Sequence, residues 1–230
     1  MRVLMPGKSR HVVVTGASSG IGLAITRHLA AEGWRVTGMA RRAVPVDGVA
    51  SVQVDLTDIP AALSAIDAMG RVDAFVHAAG FLRSGDLGAL NPDVLAAMWQ
   101  LHVAVPEALV NRIAPAMQAG GRIVLIGSRT STGQAGKSQY AATKAAMVGM
   151  ARSWAMELAG RGITVNVVAP GATDTPMLTD PSRGTARPKP PPIGRLVKPE
   201  EVAGLAAYLL SPLASSITGQ QINICGGASL

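Results

Sequence analysis

The chain has 230 residues, 48% hydrophobic and only 15% charged, a balance that suits one α/β domain with a large core and argues against long disordered regions. Its formal net charge of +7 reads either as a by-product of arginine-rich composition or as a field that attracts anions; no Lys/Arg run exceeds two residues and aromatics are 3%, which argues against nucleic acid as a partner. A single cysteine, Cys225, excludes an intramolecular disulfide and a Cys-rich metal site, and with no signal-peptide pattern or apolar span of about 18 residues the expectation is a cytoplasmic protein with no membrane partner and no metal.

His11 to Thr15 is a β-branched apolar run closed by a Gly-rich turn, which predicts a first strand. Ile21, Ala24, Ile25 and Leu29 then recur at helical spacing over residues 21 to 32. Further strands are predicted at Arg35 to Ala40 and at Val52 to Asp55, after which Thr57 or Asp58 would cap a helix carrying Pro60 in its first turn. Ala74 to His77 predicts a fourth strand, and residues 92 to 118 a long helix interrupted near Pro106. Arg122 to Gly127, Ser138 to Ala159 and Ile163 to Ala169 predict strand, helix and strand. Residues 175 to 198 are proline-rich and aperiodic; such a stretch is either a plain connection or, being longer than about 12–15 residues, a substrate loop. Pro199-Glu200-Glu201 opens a last helix, and Gln221 to Ile224 completes the sheet. The alternation predicts one domain over residues 1 to 230, a Rossmann-type doubly wound parallel sheet of about seven strands with helices on both faces.

Between the first strand and first helix lies Thr15-Gly16-Ala17-Ser18-Ser19-Gly20-Ile21-Gly22. Three glycines there permit a tight turn, close approach of backbone to a pyrophosphate and close helix packing, while the helix N-terminus offers free N–H groups. The Gly-x-x-x-Gly-x-Gly spacing, joined by Tyr140-Ala141-Ala142-Thr143-Lys144, resembles the short-chain dehydrogenase/reductase family, in its single-domain branch similar to 3-oxoacyl reductases, over residues 11 to 228. The resemblance implies a dinucleotide cradle of Gly16, Ser18, Ser19, Gly20, Ile21 and Gly22, with Asp55-Leu56 at the adenine. His77-Ala78-Ala79-Gly80 is similar to the family's Asn-Asn-Ala-Gly, with both asparagines replaced. Pro170-Gly171, with Thr173 and Thr175, resembles the segment that holds the nicotinamide carboxamide, and Gly219 and Gly226-Gly227 match the C-terminal pattern.

At the end of the second strand stand Ala40, Arg41 and Arg42, with no carboxylate to receive a ribose 2′-hydroxyl. A guanidinium matches phosphate geometry, so the preferred cofactor is NADP(H), with NAD(H) second. The other reading of the two arginines is surface charge.

Tyr140 and Lys144, four apart near a helix start, share one face. Reduction of a carbonyl needs a hydride at carbon and a proton at oxygen. A free phenol has a pKa near 10; one ammonium about 4 Å away, at an effective dielectric near 20, contributes about 4 kcal/mol, enough to lower it by about 2–3 units. Lys144 is therefore expected to depress the Tyr140 phenol, and by resemblance both also contact the nicotinamide ribose. Ser128, directly after the fifth strand, is the expected donor to the substrate oxygen, with Ser131 as rival. By resemblance His102 falls where the family often carries an asparagine that holds a relay water; it either keeps that relay or is a core or interface histidine.

The predicted function is NADP(H)-dependent interconversion of a ketone or aldehyde, a 3-oxoacyl compound among them, and an alcohol, with Tyr140 as general acid/base. The alternative is a catalytically weak NADPH-binding regulatory scaffold that acts on a protein partner. Residues 129 to 139, Phe81 to Leu87 and the proline-rich loop, with Met177, Leu178, Ile193 and Leu196, are expected to wall the substrate. Arg183, Arg187 and Lys189 read as solvated loop charge, or else as contacts to an anionic tail. The resemblance implies a homodimer or homotetramer.

Overall fold

The computed structural model describes residues 10–184 and 190–230. Seven strands, β1 (His11–Thr15), β2 (Arg35–Ala40), β3 (Ala50–Gln53), β4 (Ala74–His77), β5 (Arg122–Ile126), β6 (Thr164–Pro170) and β7 (Gln221–Ile224), form one sheet in the order β3-β2-β1-β4-β5-β6-β7. Every neighbouring pair is parallel. The crossovers carry α1 (Gly20–Ala31), α2 (Ile59–Asp67), α3 (Pro92–Trp99), α4 (Val105–Ile113), α5 (Ser138–Ala159), the one-turn α6 (Pro176–Thr179) and α7 (Pro199–Leu210).

Near-continuous apolar strands are what a sheet covered on both faces requires. Side-chain alternation sends Val12, Val14, Val76, Val124 and Val168 to one core, closed by Ile25 and Leu29 of α1 and Val202, Ala206 and Leu209 of α7. Val13, Phe75, Ile123, Leu125 and Val167 face the other, closed by Ile66 of α2, Leu109 of α4 and Met147 of α5. The strand order reverses between β1 and β4, so the loops leaving their carboxyl ends diverge and open a crevice, the usual ligand position in such sheets.

The sequence expectation is shifted at β3, and the structure decides what it left open at two helices. The edge strand β3 begins two residues earlier than predicted and pairs Ala50 to Gln53 with Thr37 to Ala40. Asp58, of the two candidates, caps α2 by accepting from the Ala61 amide at 3.0 Å. The interruption expected near Pro106 lies just before it: residues Gln100–Ala104 form a π-helical stretch between α3 and α4, with the Val105 amide reaching back five residues to the Gln100 carbonyl. That leaves the Leu101 carbonyl without its usual partner. The proline-rich stretch carries α6, a 3-10 turn at Pro181–Arg183 and a bridge from Thr173 to Val197. Arg187 and Lys189 lie outside the described residues.

Candidate active site

The loop after β1 is held by contacts that tolerate no side chain. Gly16 has φ +69°, and a Cβ there would lie 2.8 Å from the Ala79 backbone; a Cβ on Gly22 would lie 2.3 Å from the Gly16 carbonyl oxygen. Ser19 is extended and makes no side-chain cap, so the first N–H groups of α1 keep no intrahelical partner. Ser18 and Gly20 are half-buried beside them, and Thr175 closes over Gly20, its Cγ2 3.4 Å from where a Cβ would be. This narrow, donor-lined turn at a helix N-terminus fits a pyrophosphate.

Arg41 and Arg42 are exposed at the end of β2. Arg41 lies close enough to Asp55 for its charge to bear on the carboxylate, which is held below the usual range chiefly by the Thr57 amide and hydroxyl, at 3.0 and 2.8 Å. Leu56 is buried next to it. After β4, the Ala78 and Ala79 amides both reach Thr15 Oγ1, at 3.2 and 3.3 Å. At Gly80 a Cβ would lie 2.9 Å from His102 Nε2 and 3.6 Å from Lys144 Nζ. Pro170 ends β6, and Gly171 follows against Cys225, where a Cβ would come within 2.9 Å. Thr173 is buried and bonds the Gly171 carbonyl at 3.1 Å. The residues predicted at the dinucleotide thus gather along the carboxyl ends of β1, β2, β3, β4 and β6.

Ser128, Tyr140 and Lys144 meet beside them. Ser128 follows β5 and its hydroxyl accepts from the Thr130 amide at 3.1 Å, near enough to the Tyr140 phenol to favour its ionised form. Its rival Ser131 is turned away to Gln221, at 3.1 Å. Lys144 is buried, its Nζ donating to the Ile126 carbonyl at 3.0 Å and lying 5.8 Å from the centre of the Tyr140 ring. Here the electrostatics run opposite to the expectation. Burial raises the phenol to about 12; the Ser128 hydroxyl and then the charge of Arg183 oppose it without prevailing. Burial also lowers the Lys144 ammonium to about 7. Desolvation disfavours phenolate and ammonium alike, and here it prevails.

His102 is buried in the π stretch, its ring edge-on to Tyr140 at 5.7 Å. Nε2 lies 3.2 Å from the Phe81 amide, which can only donate, so Nε2 is the acceptor and Nδ1 carries the hydrogen. Nδ1 then donates to Thr143 Oγ1 at 2.9 Å, and the Thr143 hydroxyl donates to the Tyr140 carbonyl at 2.9 Å. Both ring nitrogens are spent on the protein. Burial, then the Lys144 charge, holds the ring neutral. His77 repeats the logic: Nε2 donates at 3.1 Å to the Leu101 carbonyl that the π stretch frees, and Nδ1 faces Thr15 Oγ1 at 2.9 Å.

The three predicted substrate walls are tied together: the Ser84 amide bonds the Arg183 carbonyl at 2.9 Å, and the Gly85 amide bonds the Gly136 carbonyl at 3.0 Å. Arg183 is not solvated, being only 6% exposed. Sequence reasoning did not single out Lys137, also buried, which stands immediately before α5. The available signal was a basic residue at a helix N-terminus, the unfavourable end for a cation. Among the described residues, no group of three or more His, Cys, Asp or Glu is arranged to hold a metal, and no helix is long and apolar enough to cross a membrane.

A family model described as Enoyl-(Acyl carrier protein) reductase matches residues 16–229. The 3-oxoacyl-[acyl-carrier-protein] reductase FabG of Vibrio cholerae is 37% identical, covering 94% of this chain and 95% of that protein. The cyclic-di-GMP-binding biofilm dispersal mediator protein of Escherichia coli is 35% identical, with 94% and 95% covered. Among solved structures, BdcA in complex with NADPH superposes with a TM-score of 0.85 at 35% identity over 95% of each chain. The ligand-free aldohexose dehydrogenase of Thermoplasma acidophilum gives 0.88 at 26% identity, covering 96% of this chain and 94% of the other.

Proposed function

The chain belongs to the short-chain dehydrogenase/reductase family of oxidoreductases, and from that premise we propose that it reduces a ketone or aldehyde to an alcohol with NADPH, Tyr140 delivering the proton. The observation that carries this reading is the convergence of the Ser128 hydroxyl, a buried Tyr140 phenol and a buried Lys144 at the mouth of a crevice headed by an open helix N-terminus.

The turn from Gly16 to Gly22 and the α1 amides would hold the pyrophosphate, Arg41 and Arg42 the 2′-phosphate, Asp55 and Leu56 the adenosine, Ala78 to Gly80 and Lys144 the nicotinamide ribose, and Pro170 to Thr175 the carboxamide. The dinucleotide, once bound, supplies the hydride. Ser128 turns its hydroxyl to the substrate oxygen and polarises the carbonyl. Tyr140, protonated throughout the neutral range with a pKa of about 12, gives its proton to that oxygen as the C–H bond forms. His102, through Thr143, fixes the first turn of α5 and with it the position of Tyr140. Similarity to the Vibrio 3-oxoacyl-[acyl-carrier-protein] reductase supports 3-oxoacyl compounds as candidate substrates.

The test is a panel of ketones, aldehydes, 3-oxoacyl thioesters and 2-enoyl thioesters, with NADPH and NADH, followed by cofactor absorbance. Turnover of a carbonyl compound with NADPH, reduced by about 10²–10⁴-fold in Tyr140→Phe, is the expected result. Turnover of the enoyl compounds alone, or an unaffected Tyr140→Phe, overturns it.

Similarity to the biofilm dispersal mediator and to an NADPH complex supports a second reading, an NADPH-binding regulatory protein. Tight NADPH binding with no turnover across the panel, and a response to added cyclic di-GMP, would favour it. Exposed Met156 on α5, Tyr208 on α7 and Leu213 beyond it suit a homodimer or homotetramer, which light scattering would reveal.

A further inference from the structure

Two cations are buried where the three pocket walls converge. Arg183, on the 3-10 turn after α6, is 6% exposed and its charge reaches the Tyr140 phenol; its Nη1 donates to the Leu178 carbonyl at 3.2 Å. Lys137, 8% exposed, stands at the start of the 22-residue α5, whose first turn holds no acidic residue. Lys137 feels the charges of Arg183 and of Arg129, both of which oppose its protonation. No carboxylate comes within 4 Å of Arg183, Lys137 or Arg129 among the described residues, and residues 1–9 and 185–189 contain no Asp or Glu that could. The nearest acids are otherwise engaged or placed: Asp180 bonds Ser182 and Arg83, and Asp86 lies against Gly136. Ser84, whose amide binds the Arg183 carbonyl, keeps a buried Oγ with no hydrogen-bond partner among the described residues.

Buried like charges at the positive end of a helix dipole repel one another and the dipole, and buried charges ordinarily come paired. A pocket that keeps both is built for an anion. We propose that Arg183 and Lys137 form an anion subsite in the substrate pocket, so that the substrate is a small oxo compound bearing a carboxylate or phosphate that docks there while its carbonyl reaches Ser128 and Tyr140. This rests on the reductase reading and gives it a substrate class. Neutral ketones of the same size would bind without that anchor.

The experiment compares acetoacetate, hydroxyacetone phosphate and neutral ethyl acetoacetate with NADPH in the wild type and in Arg183→Gln, Arg183→Lys and Lys137→Gln. At least one of the two anions should exceed the ester in kcat/KM by about tenfold or more, as a charge-assisted contact implies, and which one does identifies the group. That ratio should collapse towards unity in both Gln variants and recover in part in Arg183→Lys. Because the Lys137 side chain makes no hydrogen bond among the described residues, its variant keeps the test sound if Arg183→Gln folds poorly. No anion preference in the wild type, or a preference that survives in Lys137→Gln, overturns the proposal while leaving the reductase reading intact. If none of the three compounds turns over, melting temperatures decide: the anions should stabilise NADPH-bound wild type and not Lys137→Gln, and equal shifts, or none, overturn the subsite.

Discussion

His102 and Thr143 share a hydrogen bond of 2.9 Å in which the histidine is the donor, and the threonine hydroxyl in turn donates a hydrogen bond to the Tyr140 carbonyl. An asparagine at residue 102 is too short to span the Phe81 amide and Thr143 together, so His102→Asn should lose one buried bond and leave a small void. The expected loss is about 1–3 kcal/mol in urea denaturation, with kcat falling and NADPH affinity nearly unchanged. A variant that retained or gained turnover would instead mean that residue 102 serves a relay water.

Lys144 makes stability depend on pH. Its ammonium loses its proton near 7 in the folded protein and near 10.5 in the unfolded chain, so between these values the unfolded chain binds more protons. The folded state is therefore progressively destabilised as pH falls from about 10.5 to about 7, at ~1.4 kcal/mol per unit, and the full penalty is present below 7. Denaturant unfolding from pH 7 to 10 should show stability rising with pH, and Lys144→Met should flatten that rise. An unchanged slope in Lys144→Met would place the titration elsewhere.

The Tyr140 phenol can be watched directly, because Tyr208 is the other of only two tyrosines. In Tyr208→Phe the remaining phenol should resist ionisation until well above pH 10, in line with its value of about 12. Adding Ser128→Ala removes the hydroxyl that opposes the rise, and should move ultraviolet titration higher still while lowering kcat by about 10²–10³-fold. Ionisation at an ordinary phenol pH would mean that Tyr140 is more solvated than its burial implies.

What was legible in the sequence follows from which forces act locally. β1, β2 and β4 could be bounded from their apolar runs, because central parallel strands are apolar on both faces. β3 is an edge strand with Ser51 and Gln53 exposed, so the apolar Val52 and Val54 drew the expected strand too far along. Pro106 announced a helix defect, but its form depends on the Val105 amide choosing Gln100 and on His77 claiming the Leu101 carbonyl, both tertiary facts. The glycine loop and the Tyr140–Lys144 spacing were visible as pattern. The direction of the Tyr140 shift was not, since burial is a property of the whole pocket. Arg183 was misjudged for the same reason: nothing in a proline-rich stretch says that one of its arginines is folded inward.

Arg41 separates two explanations of cofactor choice. It is exposed, joins no salt bridge among the described residues and acts on Asp55 from a short distance, so its side chain is available to a phosphate without first breaking a contact. Arg41→Ala should lower kcat/KM for NADPH by about 10–100-fold, the range for a charge-assisted phosphate contact, and leave NADH nearly unchanged. Arg41→Asp should go further, because a carboxylate there repels the 2′-phosphate and can accept from a ribose hydroxyl, raising NADH relative to NADPH. Arg42→Ala measures how much the adjacent guanidinium shares the load. Equal losses with both cofactors would assign Arg41 to the fold of the loop or to the pyrophosphate common to both, because a group that reads only the 2′-phosphate has nothing to lose with NADH.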